Sequence, residues 1–400
     1  MGKSAIIIGA GVIGVASAYA LARRGWQVTL LDRAAKPAMG TSHANGAQLS
    51  YCFTDALGSP ATVAALPRLL SGRGGVSIRP GFSPDYLGWL ASFARNCTST
   101  RFRENTQAVL RLALESRAAM DALCERHSID FAHARADKVQ LLYTATDRKR
   151  AETSIDIKAE LGCEQTIVER HEFAQIDPAL TGIDDEANAA IFTRSEMVGD
   201  ARRFCENMMP VLTDRYGVSV RMGRDVERIE HTLSGARVSM TDEEELEADL
   251  AVICSGCGSN RLLSPLGLNI PVQPMKGYSF DAPLLPSSPK VSVTDARRRL
   301  VMTNLGDRLR VAGLAELGNR SPAPEPDRVE ALRKAAISCM PEAGDFERTS
   351  GHWAGLRPTT PRSHPIISRP RQGLAINTGH GALGWTLAMG SGERLAALVA

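Results

Sequence analysis

Three short stretches of this chain carry residue types that chemistry uses. Near the start, "AIIIGAGVIG" spaces Gly9, Gly11 and Gly14 as GxGxxG, with Val12 and Ile13 between the last two. Gly9 permits a tight turn, Gly11 lets the backbone approach a pyrophosphate, and Gly14 lets a helix pack close to a strand. Near the end, "HWAGLRPTTPRSHP" sets Arg357 between Leu356 and Pro358 among turn-formers. A guanidinium fork matches a carboxylate through two parallel hydrogen bonds. The competing reading is an arginine that bonds loop carbonyls or a buried acid. The third stretch, "CSGC", pairs Cys254 with Cys257 at the spacing of redox and metal sites. It lacks a second ligand pair, so no metal is expected. The eight cysteines are spread too thinly for a disulfide framework and read as buried or incidental thiols.

The flanking elements give the glycines their meaning. A β-branched strand, residues 5–8, leads into the turn, and the helix "VASAYALARRG" follows, stopped by Gly25. A second strand, "QVTLLD", ends in Asp32, placed to accept hydrogen bonds from an adenosine ribose. This is a βαβ half-unit whose helix N-terminus offers free N–H groups to phosphates. The fingerprint alone does not separate NAD from FAD. The next segment, "GTSHANGAQLS" (40–50), could wrap a second phosphate and continue toward a larger cofactor, or be a surface loop of turn-forming residues. The uncharged run from Ser4 to Ala22 approaches a membrane span and a signal-peptide core in character, but its glycines fall at nucleotide-turn positions. The expectation is a soluble, cytoplasmic protein.

With 400 residues, 44% hydrophobic and 23% charged, the chain is long enough for two domains or one large one. A net charge of +3 is too small to argue for a nucleic-acid partner. Residues 104–127 have the apolar spacing of an amphipathic helix. Residues 218–256 read as short strands ending in "DLAVICSG", and extended segments from about 270 suggest an antiparallel sheet. A strand at 374–377 then meets a glycine-rich turn and a last helix. The fold class is therefore α/β: a Rossmann-like domain from residues 1–50, 196–264 and 351–400, and a second α+β domain from 51–195 and 265–350, built on an antiparallel sheet.

The stretches "IIIGAGVIGVASAYALARRGWQVTLLDR", "TSHANGAQLS", "PMKGYSF", "WAGLRPTTP" and "NTGHGALGWTLAMGSG" follow one another from residue 4 to 392. In that order they resemble the FAD-dependent D-amino-acid oxidase superfamily, most closely the bacterial D-amino acid dehydrogenases of small-subunit type. The resemblance implies extended FAD with its isoalloxazine under the second domain. It implies oxidative deamination of an amino acid by hydride transfer from Cα to flavin N5, giving a 2-oxo acid and ammonia. Electrons would pass to a quinone or carrier protein.

By the same resemblance, Gly9, Gly11, Gly14, Asp32 and Arg33 hold the ADP half. Thr41, Ser42, Ala44, Asn45, Gly46 and Gln48 line the pyrophosphate and the approach to the flavin, while Val226, Ser255 and Gly256 border the adenosine. Gly381, Ala382, Leu383, Gly384, Trp385 and Thr386 precede a helix whose N-terminus would face the flavin N1–C2=O edge, which gains negative charge on reduction. Arg357 would grip the substrate carboxylate. Tyr278 would be a second donor to the substrate, unless it is packed in its strand. His380 or His43 would be a base, unless simply hydrogen-bonded, and Lys276 would sit near the flavin or in solvent. Asp32 stands where relatives often have Glu, and Arg362-Ser363 replaces an Asp-Gly-like turn. The same fold serves sarcosine, glycine and D-proline or hydroxyproline oxidation, and a flavin module for modified tRNA. An NAD(P)-dependent dehydrogenase is another alternative. Substrate side chain, oligomeric state and peripheral association with the inner membrane face stay open.

Overall fold

The computed structural model describes residues 2–64, 76–79, 81–194, 196–233 and 235–400. Its first strand, Ser4–Ile8, lies between Gln27–Asp32 and Leu250–Ile253, parallel to both. The sheet continues to six strands in the order Ser219–Met222, Gln27–Asp32, Ser4–Ile8, Leu250–Ile253, Leu374–Thr378, Ile366–Arg371, of which only the last pair is antiparallel. A parallel sheet is covered on both faces, so its strands read as near-continuous apolar runs. On one face the helices Val12–Ala22 and Gly384–Val399 bury Ile7, Leu30 and Val252. On the other, the antiparallel meander Val226–His231, Ala236–Met240, Glu245–Ala248 closes over Ile6, Ile8 and Ile253. Among the described residues no helix is long and apolar enough to cross a membrane.

The second sheet has nine strands. Eight run in the order Ser350–Thr359, Gln273–Ala282, Leu309–Leu317, Leu300–Asn304, Ser292–Asp295, Lys138–Leu142, Ala189–Thr193, Gln165–Glu169, and Val76–Ile78 adds to Leu309–Leu317. Its two faces differ by the parity of the register. Tyr278, Phe280, Val311, Met302, Val293 and Val139 share the face that packs with Leu332 and Ala336 of helix Pro326–Cys339. The intervening residues, among them Gly277, Ser279, Arg310, Thr303 and Lys138, form the opposite face.

Two expectations change here. The "GLRP" segment is not a proline-stiffened turn but part of a ten-residue edge strand, Ser350–Thr359, paired with Gln273–Ala282. Proline is tolerated because an edge strand has one side free of ladder bonds. This strand, expected with the nucleotide domain, therefore lies in the larger sheet, and the chain rejoins the nucleotide sheet at Ile366–Arg371. The cysteines are not all free thiols either. Cys52 and Cys163, 111 residues apart in sequence, form a disulfide across a Cα separation of 5.9 Å. Cys254 and Cys257 are free, and burial pushes both thiols up to about 12, which removes the thiolate character a redox CxxC needs.

Candidate active site

At the nucleotide end, only glycine fits the turn. A Cβ on Gly14 would lie 1.7 Å from the Gly9 carbonyl oxygen, and one on Gly9, at φ +111°, would lie 2.8 Å from the Cys254 oxygen. Gly11 begins the helix in extended conformation without a side-chain cap, and the Val12 N–H donates to Ser42 Oγ at 3.2 Å. Ile13 continues that first turn, and its carbonyl accepts from Ser17 Oγ. Asp32 accepts from the Ala10 N–H at 2.7 Å and the Ala34 N–H at 2.8 Å, so the shorter acid braces the turn it faces. Arg33 beside it is exposed. Ser255 and Gly256 close the same end of the sheet, with Gly256 at φ +56° accepting from Ser259 Oγ. Val226 does not point into this cleft. Its side chain is buried in the core under the meander, and its carbonyl accepts from Arg261.

From Ser42 the chain runs across the free face of the larger sheet, and successive strands hold successive residues. Ser279 Oγ donates to the Ala44 carbonyl at 2.6 Å, Arg310 Nη1 to that of Asn45 at 2.9 Å, and Thr303 Oγ1 to that of Gly46 at 2.8 Å. Lys138 Nζ completes the series on Gln48 Oε1 at 2.7 Å. Asn45 Oδ1 accepts from the Ala47 N–H, steadying Ala47 at φ +56°. Arg310 is fixed by Asp281, which also pairs with Arg308, itself paired with Asp200. The last helix docks on the end of this loop: Thr386 Oγ1 accepts from the Ser50 N–H, and Trp385 Nε1 donates to the Gly199 carbonyl. Gly381–Leu383, with Ala382 exposed, forms the single turn ahead of Gly384.

Arg357 lies on this same face. Register pairs Gly277 with Gly355 and Met275 with Arg357, and the guanidinium folds over Gly277, where a Cβ would come within 2.1 Å of Nη2. A bulge in Leu309–Leu317 puts Leu314 at φ +54°, and its carbonyl accepts from Arg357 Nη1 at 3.0 Å. Among the described residues no carboxylate pairs with Arg357. Burial alone draws its pKa down to about 10, so it stays cationic at neutral pH. A half-buried cation with one carbonyl partner is poised for an anion. The Leu356 carbonyl next to it accepts from Thr41 Oγ1 at 2.7 Å and Cys257 Sγ at 3.5 Å, joining three motifs at one point.

Two proposed catalytic side chains are elsewhere. Tyr278 has the opposite parity to Arg357, is buried in the helix-covered core, and donates to Glu316 at 3.0 Å. Burial and the neighbouring carboxylate push its phenol up. Lys276 shares that face and pairs with Glu325 at 3.0 Å. His380 is buried against Ser391 Oγ at 2.8 Å, and burial lowers its pKa to about 3, so it is neutral at working pH. His43 does reach the free face. It stacks on Trp353 with ring centres 4.1 Å apart, and burial, then Arg202, holds its pKa down. Tyr278→Phe should therefore leave kcat/KM within about twofold while lowering stability by about 1 kcal/mol, the usual value of one buried hydrogen bond. Steady-state kinetics and urea unfolding on one sample check both.

Reading "PMKGYSF" by strict alternation would have separated Gly277 and Ser279 from Lys276 and Tyr278. Ser279, Thr303, Arg310 and Lys138 carried no motif signal, because their partners lie far away in sequence.

The glycine cradle, the uncapped helix end and the loop spread over a mixed sheet follow one another along the chain. Buried polar atoms without partners among the described residues, Gln48 Nε2, His43 Nδ1 and Trp353 Nε1, leave donors and acceptors for a bound group, and the residues present fit FAD. The chain belongs to the family described as FAD dependent oxidoreductase, whose model matches residues 4–398. It is similar to D-amino acid dehydrogenase 2 of Ralstonia nicotianae, 36% identical over 98% of this chain and 96% of that one. It is also similar to D-amino acid dehydrogenase of Vibrio vulnificus, 32% identical over 99% and 95%. Glycine oxidase from Bacillus cereus shares the fold, with a TM-score of 0.75 and 18% identity over 100% of this chain and 95% of that one.

Proposed function

We propose that this chain oxidatively deaminates D-amino acids to 2-oxo acids and ammonia. The observation that carries the reading is Arg357: a half-buried guanidinium on the free sheet face with no carboxylate partner among the described residues. The two relatives named D-amino acid dehydrogenase supply the substrate class.

Bound FAD supplies the two-electron oxidant for the Cα–N bond. Gly9, Gly11, Gly14 and Asp32 would hold its ADP half, and residues 41–48 with 381–386 would border the rest. Arg357 binds the substrate carboxylate through its fork and fixes the orientation of the Cα–H bond, which also selects one enantiomer. Gly277 gives the guanidinium its seat and Leu314 holds one arm. The neutral amine needs no side-chain base, consistent with the places of His380 and Tyr278. The resulting imino acid hydrolyses to 2-oxo acid and ammonia. The electron acceptor would be a quinone or carrier protein, reached at the inner membrane face.

Anaerobic mixing of the purified flavoprotein with D- and L-amino acids tests the reading. Loss of flavin absorbance near about 450 nm with D-amino acids is expected. A yellow protein that no amino or imino acid bleaches would sink the proposal. Bleaching only by glycine or sarcosine, with peroxide formed in air, would move it to the oxidase alternative.

A further inference from the structure

We infer that Lys138 is a positioning residue for the cofactor, acting through Gln48. The inference rests on the proposed place of residues 41–48 beside FAD. Lys138 begins the strand Lys138–Leu142 on the face shared with Arg357, Ser279 and Thr303, and it is 2% exposed. Its Nζ lies 2.7 Å from Gln48 Oε1 and 2.9 Å from Ser50 Oγ, and 4.0 Å from the centre of the Phe53 ring. One ammonium thus ties the short strand Gln48–Leu49 to Ser50, whose N–H is held by Thr386 of the last helix.

The chemistry of the pair fixes the direction of the amide. An ammonium only donates, so the carbonyl end of Gln48 must face it. The Nε2 end is thereby turned away from Lys138, and it is buried without a partner among the described residues. An unmet donor at such a site costs free energy unless a ligand accepts from it. Lys138 therefore keeps the donor end of Gln48 presented to an acceptor that the protein does not supply. FAD, whose isoalloxazine edge carries carbonyl oxygens and ring nitrogens, is the acceptor class at hand.

Burial lowers the Lys138 pKa and Lys158 adds to that, while the Glu196 carboxylate, and less so Asp55, oppose the lowering and favour the ammonium. Glu196 receives the Tyr51 and Cys52 N–H groups at 2.6 and 2.8 Å, so the same buried charges hold residues 48–52 in one conformation. Retaining a buried lysine there costs more than an apolar residue would, unless its bonds are used.

The test is a double-mutant cycle on K138M and Q48L, with K138Q as the milder variant should K138M not fold. FAD affinity of the reconstituted protein is read by quenching of FAD fluorescence, with thermal unfolding of the apoprotein as control. Each single change should weaken FAD about tenfold. The double variant should be no weaker than Q48L alone, because Lys138 acts through Gln48. Effects that multiply, or an unchanged FAD affinity in K138M and K138Q, would overturn the inference. A wild-type protein that binds no FAD would instead defeat the cofactor reading on which it stands.

Discussion

Arg357→Ala should lower kcat/KM for the amino acid by about 10²- to 10³-fold, or about 3–4 kcal/mol, the scale of losing a buried charge-assisted carboxylate bond. Most of the loss should appear before saturation, because the fork binds substrate and transition state alike and a uniform binding loss raises KM. Arg357→Lys should recover little, since an ammonium keeps the charge but not the planar pair of donors. FAD content should not change, because the Arg357 guanidinium donates to the Leu314 carbonyl and, among the described residues, to no residue of the nucleotide turn. Rapid-mixing reduction over a range of substrate concentrations separates the binding and rate effects. An unchanged KM and reduction rate would assign Arg357 to bracing the bulge at Leu314.

Gly277→Ala should reproduce much of that loss without touching a charge. The new methyl would occupy the seat of the guanidinium, 2.1 Å from Nη2 and 2.3 Å from Cζ. The obstructed atoms end a long flexible side chain, so the strand can keep its register while Arg357 swings aside. A fall in kcat/KM of about 10- to 10²-fold is expected, with little change in unfolding free energy. The double variant Gly277→Ala/Arg357→Ala should be no worse than Arg357→Ala, since a displaced arginine and an absent one leave the same site. If the two losses multiply, Gly277 has a role of its own.

The nucleotide end was legible because its signals are local. The turn, its strand, its helix and the acid after the next strand occupy residues 4–32, and short-range sterics impose that order. Arg357 was legible as a residue but not in its setting. A segment with Pro358 and Pro361 reads as a turn, and only pairing with Gln273–Ala282 makes it an edge strand. Tyr278 lies in the helix-covered core for the related reason that one step along a strand reverses the face. The Cys52–Cys163 bond and the anchors Ser279, Thr303, Arg310 and Lys138 depend on contacts between residues 90 to 265 positions apart, which no local pattern encodes.

The loop from Ala44 to Gly46 is held by its carbonyls, which every amino acid possesses, and the specific partners Ser279, Arg310 and Thr303 sit on three strands of another sheet. Mutational tolerance should therefore be lopsided. A library built in the strands would reshape the loop while leaving its own letters untouched, whereas divergence within the loop would leave its route in place. Two homologues could then carry the same cofactor along the same track with dissimilar loop sequences, and the trace of common descent would survive better in the sheet beneath than in the motif above it.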